Sequence, residues 1–181
     1  SGQSRPKDVP RYKPKKVGIL GAGMMGAGIA YSQASRGIAS VLKDVSLEKA
    51  EHGKAYSAKL TQARVDKGRM GPHDQAELLG RITPTASAAD LQGSDLIIEA
   101  VFENRELKAK VTQEAEPMLA PGGFFASNTS TLPISGLAKA SAHADRFVGI
   151  HFFSPVDKMK LVEIIRGRQT SDDTVARAFD Y

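Results

Sequence analysis

The sequence predicts an α/β domain built around a doubly wound, mostly parallel sheet, and three observations lead to this expectation. Short apolar runs alternate with helical stretches along the 181 residues. The first apolar run, Lys16–Leu20, leads directly into a glycine-rich turn, and the second ends just before Asp44. Regular alternation of strands and helices is typical of a parallel sheet whose crossover helices cover both faces.

The first elements form a βαβ unit. After the strand Lys16–Leu20, small and apolar residues over Met24–Ser35 recur at helical spacing. Gly37 ends this helix, and residues 39–42 form a second short strand. The chain therefore returns to the same edge of the sheet, where Asp44 follows the second strand.

A helical pair is predicted after the second strand, and the rest of the sheet follows it. An amphipathic stretch over residues 47–67 and a shorter helix from Pro72 toward Leu79 are separated by a break. Another helix is predicted over residues 105–119. The remaining strand candidates are the apolar runs at residues 82–85, 96–99, 124–127, 147–151 and 161–165.

The last helix is predicted to begin at Asp172, capped by Thr170 or Ser171. Its apolar face consists of Val175, Ala178 and Phe179. A helix that ends the sequence with such a face predicts a missing partner downstream, so residues 16–181 are interpreted as one domain that is cut short at its C-terminus.

Residues 1–15 are predicted to be a linker punctuated by prolines, with Ser1 and Gly2 as the remnant of an expression tag. The basic residues near this end are Arg5, Lys7, Arg11, Lys13, Lys15 and Lys16, and Asp8 is the single acid among them. They account for the whole formal net charge of +5. A solvated linker is favoured over a nucleic-acid-binding arm.

Composition excludes several classes of site. The sequence contains no cysteine, so it forms no disulfide, thiolate nucleophile or cysteine-ligated metal site, and a reducing, cytoplasmic compartment is expected. No apolar run approaches the roughly 20 residues that a membrane span requires. We therefore expect neither a membrane nor a nucleic acid as partner.

A dinucleotide-binding motif lies between the first strand and the first helix. Gly21, Gly23 and Gly26 form GxGxxG, which allows a tight turn, close approach of a pyrophosphate and close packing of helix on sheet. The helix N-terminus offers free N–H groups to phosphates. Asp44 is expected to bind the ribose hydroxyls and to repel the extra phosphate of NADP, so NAD is the predicted cofactor.

His151 is the best candidate for a general base, because it ends a predicted strand at the edge where ligands bind in this architecture. The other three histidines lie in polar helical or loop sequence. Glu163 lies inside the apolar run LVEII, where a buried carboxylate needs a partner. A His151–Glu163 dyad is one interpretation, and an outward-facing Glu163 on an edge strand is the alternative.

Two further segments offer polar groups next to predicted strands. Residues 127–135, SNTSTLPIS, present hydroxyls and an amide, although an ordinary helix-capping turn explains them equally well. Glu99 and Glu103 follow another strand and are equally consistent with acids that favour a helix start.

Five ordered segments resemble the 3-hydroxyacyl-CoA dehydrogenase family, especially the dehydrogenase section of bacterial multifunctional fatty-acid oxidation proteins. They are KVGILGAGMMGAGIA, Asp44, DLIIEAVFEN, FASNTSTLPIS and GIHFFSPVDKMKLVEIIRG. The resemblance extends from Lys16 to the end and implies a Rossmann-type fold.

The resemblance also implies roles for individual residues. His151 is then the catalytic base, Glu163 its orienting partner, and Ser130 a hydrogen-bond donor to the 3-oxygen of the substrate. The implied NAD contacts are Gly21, Gly23, Met25, Gly26, Asp44, Val101, Phe102, Glu103, Lys108 and Ser154. The family usually has asparagine where this chain has Ser154, which puts that contact in doubt.

In the family, a helical domain follows and forms the other wall of the acyl-CoA cleft and the dimer contacts. Its absence here implies that the fragment binds NAD but turns over slowly or not at all. The leader resembles a connection to an upstream enoyl-CoA hydratase section, which implies a bifunctional parent. The alternatives are another Rossmann β-hydroxyacid dehydrogenase, a non-catalytic NAD-binding module, and nucleic-acid binding by the leader.

Overall fold

The computed structural model describes residues 5–6, 13–129, 131–152 and 162–181. In this part of the chain, seven strands form one sheet in the order β3-β2-β1-β4-β5-β6-β7. The strands are β1 (Lys16–Leu20), β2 (Ala39–Lys43), β3 (Ile82–Thr85), β4 (Ser94–Glu99), β5 (Leu119–Ser127), β6 (Phe147–Phe152) and β7 (Val162–Arg166). Neighbouring strands are parallel except β7, which runs antiparallel to β6. The predicted doubly wound, mostly parallel α/β fold is confirmed.

Six α-helices accompany the sheet in the described residues. They are α1 (Met24–Ser35), α2 (Leu47–Asp66), α3 (Pro72–Gly80), α4 (Arg105–Ala115), α5 (Ile134–Leu137) and α6 (Asp172–Asp180). Side chains of Ser46, Asn104 and Ser171 accept hydrogen bonds from backbone N–H groups at the starts of α2, α4 and α6. Of the two candidate caps for the last helix, Ser171 is therefore the one that acts. The predicted helical pair is α2 with α3.

The sheet is buried on both faces, which explains its nearly continuous apolar strands. Val17 and Ile19 of β1 pack on one side with Ile29 of α1, whereas Leu20 points to the other side with Ile97. On that second side, the rings of Phe125 and Phe147 stack with their centroids 5.5 Å apart. Because β1 to β6 run parallel, their carboxyl ends meet at one edge of the sheet.

The predicted helix over residues 105–119 is too long. Helix α4 ends at Ala115, Glu116–Met118 forms a 3₁₀ turn, and Leu119 is already the first residue of β5. The reason is Pro117, since a proline provides no backbone N–H and restricts the residue before it to extended or turn conformations.

The sequence analysis expected the apolar face of α6 to need a partner from further along the chain, and this expectation is wrong for Val175 and Ala178. Only 1% of Val175 and 3% of Ala178 are exposed, and α6 packs against β6 and β7 of this same domain. The two side chains are thus covered without any additional chain. The side chain of Phe179 lies outside the described part of the structure.

Among the described residues, the structure contains no helix with the length and apolar composition required to cross a membrane.

Candidate cofactor and active site

Backbone contacts shape the turn between β1 and α1. Gly21 has a φ of 97°, a conformation that favours glycine, and its N–H donates to the carbonyl oxygen of Lys43 at 2.8 Å. A Cβ on Gly26 would lie 1.7 Å from the carbonyl oxygen of Gly21. Glycine is therefore required at both positions for the helix and turn to pack as they do.

Gly23 has a different surrounding, because a Cβ there would meet no atom within 4 Å. Gly23 is the N-cap residue of α1, and neither a capping side chain nor an acidic residue in the first turn occupies the helix N-terminus. Backbone N–H groups at the start of a helix, together with the positive end of its dipole, favour an anionic ligand. This end of α1 fits a pyrophosphate group.

Asp44 joins the glycine turn to the end of β2. One carboxylate oxygen accepts from the Ala22 N–H at 2.8 Å, and the other accepts from the Val45 N–H at 2.6 Å. Each oxygen retains a second lone pair for a ribose hydroxyl. The carboxylate is therefore held in place by the backbone of the turn, and its contact with a ribose stays a prediction.

A cavity of about 1070 Å³ opens beside the glycine turn, between the ends of β1, β2 and β4 and helices α2 and α4. Three large apolar side chains at its edge are strongly exposed: Met24 at 78%, Val45 at 76% and Phe102 at 86%. Exposed apolar surface next to the N-terminus of a helix fits a dinucleotide with planar rings and a central diphosphate.

The cavity collects most of the predicted cofactor residues. Those that line it are Gly21, Gly23, Met25, Asp44, Val101 and Phe102. Gly26 lies beneath the turn, while Glu103 and Lys108 are outside the lining. Ser154 lies outside the described residues, and so does the predicted substrate residue Ser130.

Glu99 is fully buried at the end of β4, as is Lys108 on α4, and the Lys108 ammonium lies 2.6 Å from the carboxylate. Burial raises the pKa of Glu99, and the Lys108 charge together with hydrogen bonds from Ser127 and Val101 opposes that rise. The idea that Glu99 is a helix-start acid is therefore wrong. The sequence contained a signal for this burial. Glu99 lies in the apolar run DLIIEA, just as Glu163 lies in LVEII, and a buried carboxylate in such a run needs a partner.

His151 and Glu163 face each other across the antiparallel pair β6–β7. The distance between His151 Nδ1 and the Glu163 carboxylate is 3.8 Å, with 25% and 41% of the two side chains exposed. Both earlier interpretations of Glu163 contribute, because it lies on an edge strand and also beside the histidine.

Sequence reasoning missed several polar groups at the cavity, and His52 and Glu114 are two of them. His52 of α2 lines it, although its polar helical context gave no indication of this. Glu114 of α4 lines it as well and lies 3.7 Å from Lys43 at the end of β2. No sequence signal identifies the Lys43–Glu114 contact, because the two residues are far apart along the chain and meet only when α4 packs against the sheet.

The fold and the cavity define a dinucleotide-binding domain, and comparison with known proteins identifies its kind. The profile described as "3-hydroxyacyl-CoA dehydrogenase, NAD binding domain" matches residues 16–181. The chain belongs to the 3-hydroxyacyl-CoA dehydrogenase family, as the NAD-binding domain. The resemblance inferred from the sequence is confirmed, as is NAD as the cofactor of this domain.

Solved structures support the same family. The chain is similar to (S)-3-hydroxybutyryl-CoA dehydrogenase PaaH1 from Ralstonia eutropha, with 40% identity, a TM-score of 0.87, and 93% of this chain and 60% of that one covered. FadB2 of M. tuberculosis is 32% identical to the chain with a TM-score of 0.87, and the match covers 92% of this chain and 59% of that one. The dehydrogenase part of multifunctional enzyme 1 from C. elegans is 27% identical with a TM-score of 0.82, and the match covers 98% of this chain and 41% of that one. The chain thus spans about 60% or less of these proteins.

Proposed function

We propose that the protein containing this chain oxidises the 3-hydroxyl group of (S)-3-hydroxyacyl-CoA thioesters to a 3-oxo group, with NAD as the hydride acceptor. The observation that carries the proposal is the His151–Glu163 pair, which lies 3.8 Å apart at the end of β6 in an NAD-binding domain of this family. Alcohol oxidation requires a base for the hydroxyl proton, and imidazole titrates in the useful range.

Bound NAD supplies a nicotinamide ring that accepts the hydride from carbon 3. His151 takes the hydroxyl proton at Nε2 as the carbon–oxygen double bond forms, so proton and hydride leave the substrate to different acceptors. Glu163 lies on the Nδ1 side, where it fixes the tautomer of the ring and stabilises the imidazolium. In the reverse direction the imidazolium returns the proton.

The same proposal assigns the remaining contacts. The turn of Gly21 and Gly23 with the N-terminus of α1 binds the pyrophosphate, and Asp44 binds the adenosine ribose. Met25, Val101 and Phe102 form apolar walls around the cofactor. Two proposed contacts lie outside the described residues: Ser130 with the 3-oxygen of the substrate, and Ser154 with the cofactor.

We further propose that the parent protein acts in fatty-acid β-oxidation in the cytoplasm, as a hydratase–dehydrogenase that forms a homodimer or larger complex through additional domains. Similarity to the dehydrogenase part of a multifunctional enzyme supports the multifunctional parent. The 181-residue chain alone then binds NAD but oxidises acyl-CoA slowly or not at all, since it spans 60% of the first structural relative.

The test is acetoacetyl-CoA-dependent oxidation of NADH by the full-length natural protein that contains this chain. We expect His151→Ala to lower kcat by about 100- to 10,000-fold while NADH affinity stays unchanged, since His151 does not line the cofactor cavity. His143→Ala is the matched control, because His143 is an exposed histidine ahead of β6. Undiminished turnover by His151→Ala, or an unaltered protein that binds NADH without oxidising it, contradicts the proposal.

A further inference from the structure

An ammonium group at one end of the cofactor cavity lacks the hydrogen bonds that a largely buried charge requires. The side chain of Lys43, at the end of β2, lines the cavity and is only 14% exposed. Its nitrogen lies 3.7 Å from the Glu114 carboxylate, which is longer than a hydrogen bond. Among the residues that the structure describes, the Lys43 ammonium donates no hydrogen bond. A ligand that fills the cavity displaces solvent from this group, so the ligand itself must provide acceptors there.

Glu114 offers the opposite polarity at the same place. It lies on α4, it lines the cavity, and 47% of its side chain is exposed. An ionised carboxylate accepts hydrogen bonds and donates none, whereas an ammonium group donates and does not accept. A donor and an acceptor therefore lie side by side at this end of the cavity.

The residues around the Lys43–Glu114 pair are apolar. Val111 and Ala115 of α4, together with Ala88 in the turn after β3, also line the cavity. All three belong to the apolar packing on the α4 side of the sheet. Apolar walls of this kind hold a planar ring, and the few polar groups among them fix its orientation.

The position of the pair in the fold indicates which ring of NAD reaches it. Lys43 directly precedes Asp44, the proposed contact of the adenosine ribose. The nicotinamide ring must instead approach His151 on β6, which is separated from β2 by β1, β4 and β5 in the sheet. The ring at Lys43 and Glu114 is therefore adenine. The edge of adenine carries an amino donor beside a ring-nitrogen acceptor, which is the complement of this pair.

We propose that Lys43 and Glu114 determine the specificity of the site for the adenine base of NAD. Glu114 accepts from the 6-amino group, and Lys43 donates to the neighbouring ring nitrogen. The inference rests on the proposed contact between Asp44 and the adenosine ribose. Hypoxanthine carries an oxygen where adenine carries the amino group, so it would present an acceptor to the carboxylate of Glu114, which has no proton to donate.

The experiment compares binding of NADH with binding of its hypoxanthine analogue, which differs from NADH only in the base. Fluorescence titration gives both dissociation constants for the full-length natural protein and for Glu114→Gln and Lys43→Met. Glu106→Gln is the matched control, since Glu106 is an exposed acid on the same helix and lies outside the cavity lining. Circular dichroism checks folding, and half of the Glu114 side chain is in solvent, so its exchange for glutamine leaves the core intact.

We expect the unaltered protein to bind NADH about 10-fold or more tightly than the analogue. Glu114→Gln should bring the ratio of the two dissociation constants close to one, because an amide group both accepts and donates. Lys43→Met should weaken NADH binding by about 10-fold, and Glu106→Gln should change neither value. Equal binding of both dinucleotides by the unaltered protein, an unchanged ratio in Glu114→Gln, or unchanged NADH affinity in Lys43→Met overturns the proposal.

NADPH is the third probe, because a lysine beside a ribose site could instead bind the additional phosphate of that cofactor. In that case Lys43→Met weakens NADPH binding and Glu114→Gln strengthens it, while the ratio for NADH and its analogue stays constant. This result also overturns the proposal. The proposed function fails separately, since an unaltered protein that binds NADH without oxidising it contradicts the function and leaves the binding ratios to decide on the pair.

Discussion

The cofactor-binding turn and the catalytic pair achieve their geometry by different means. In the turn, backbone atoms are in such close contact that a Cβ on Gly26 would lie 1.7 Å from a carbonyl oxygen. On the outer strands of the sheet, His151 and Glu163 are 25% and 41% exposed and meet only through the register of β6 and β7. The first site is specified by the absence of side chains, and the second by two side chains on outer strands.

This difference separates folding from catalysis. A change at Gly26 disturbs the packing of α1 on the turn, because a Cβ there would overlap the carbonyl oxygen of Gly21. A change in the pair alters groups at the edge of the domain, whose loss leaves the central strands intact. Two of the following predictions test whether the two regions are as independent as this comparison suggests, and a third concerns the buried Glu99 outside both regions.

The largest effect is expected for Gly26→Ala. Alanine favours helices by about 1 kcal/mol over glycine, yet here its Cβ would overlap the carbonyl oxygen of Gly21. We expect a net loss of about 3 kcal/mol or more in the free energy of unfolding, together with loss of NADH binding. Urea unfolding and NADH fluorescence titration of the chain measure both.

Gly23→Ala is the control for that prediction, since a Cβ at Gly23 meets no atom within 4 Å. Its unfolding free energy should stay within about 0.5 kcal/mol of the unaltered chain. Equal stability of the Gly26 and Gly23 variants would show that the turn can relax, and the comparison would fail.

An intermediate effect is expected for Glu163→Gln, which removes the negative charge beside His151 and keeps the volume. We expect kcat of the full-length protein to fall by roughly 10- to 100-fold, because the imidazole loses its orienting and stabilising partner. NADH affinity should not change. Steady-state kinetics with acetoacetyl-CoA checks this, with the exposed Glu106→Gln as control, and a large loss of NADH affinity would argue against independent regions.

The smallest effect is a pH dependence that arises from Glu99. Burial raises the pKa of this carboxyl above its ordinary value of 4.5. The folded state therefore holds the proton more tightly than the unfolded state, and the resulting stability is present below 4.5 and lost as the pH rises through the raised pKa.

The measurement is the difference in unfolding free energy between the unaltered chain and Glu99→Gln, taken from about pH 4 to about pH 8. Glutamine does not titrate, so the advantage of the unaltered chain should decrease as the pH rises through this range. A difference that is constant or increases with pH would show that burial does not dominate at Glu99.

Local patterns made much of the fold predictable. The apolar runs, Gly37, Pro72 and the capping serine at residue 171 each determine structure within a few residues, and the predicted elements around them are confirmed. The error at Leu119 is also local, since Pro117 was available as a signal. The buried face of α6 was not predictable, because its partners β6 and β7 are distant elements of the same domain.

The candidate site was predictable where a sequence motif specifies a backbone shape. Gly21, Gly23 and Asp44 line the cavity as expected. His151 and Glu163 lie together, and Glu163 also lies on the edge strand, as the two interpretations of Glu163 required. The Glu99–Lys108 pair was not foreseen, because a charge on α4 and a charge at the end of β4 become partners only after the strand and helix pack. The chemical roles of all these residues stay predictions.

The position of β7 as the last strand in the chain also has a consequence for how the protein is made. Synthesis proceeds from the N-terminus, so β1 to β4, with the whole cofactor turn, leave the ribosome before β6 and β7 have been translated. The central strands have neighbours by then, whereas His151 acquires Glu163 only when one of the last elements joins the edge of the sheet. The segment that shapes the cofactor turn is therefore synthesised before the pair that would put a bound nucleotide to use.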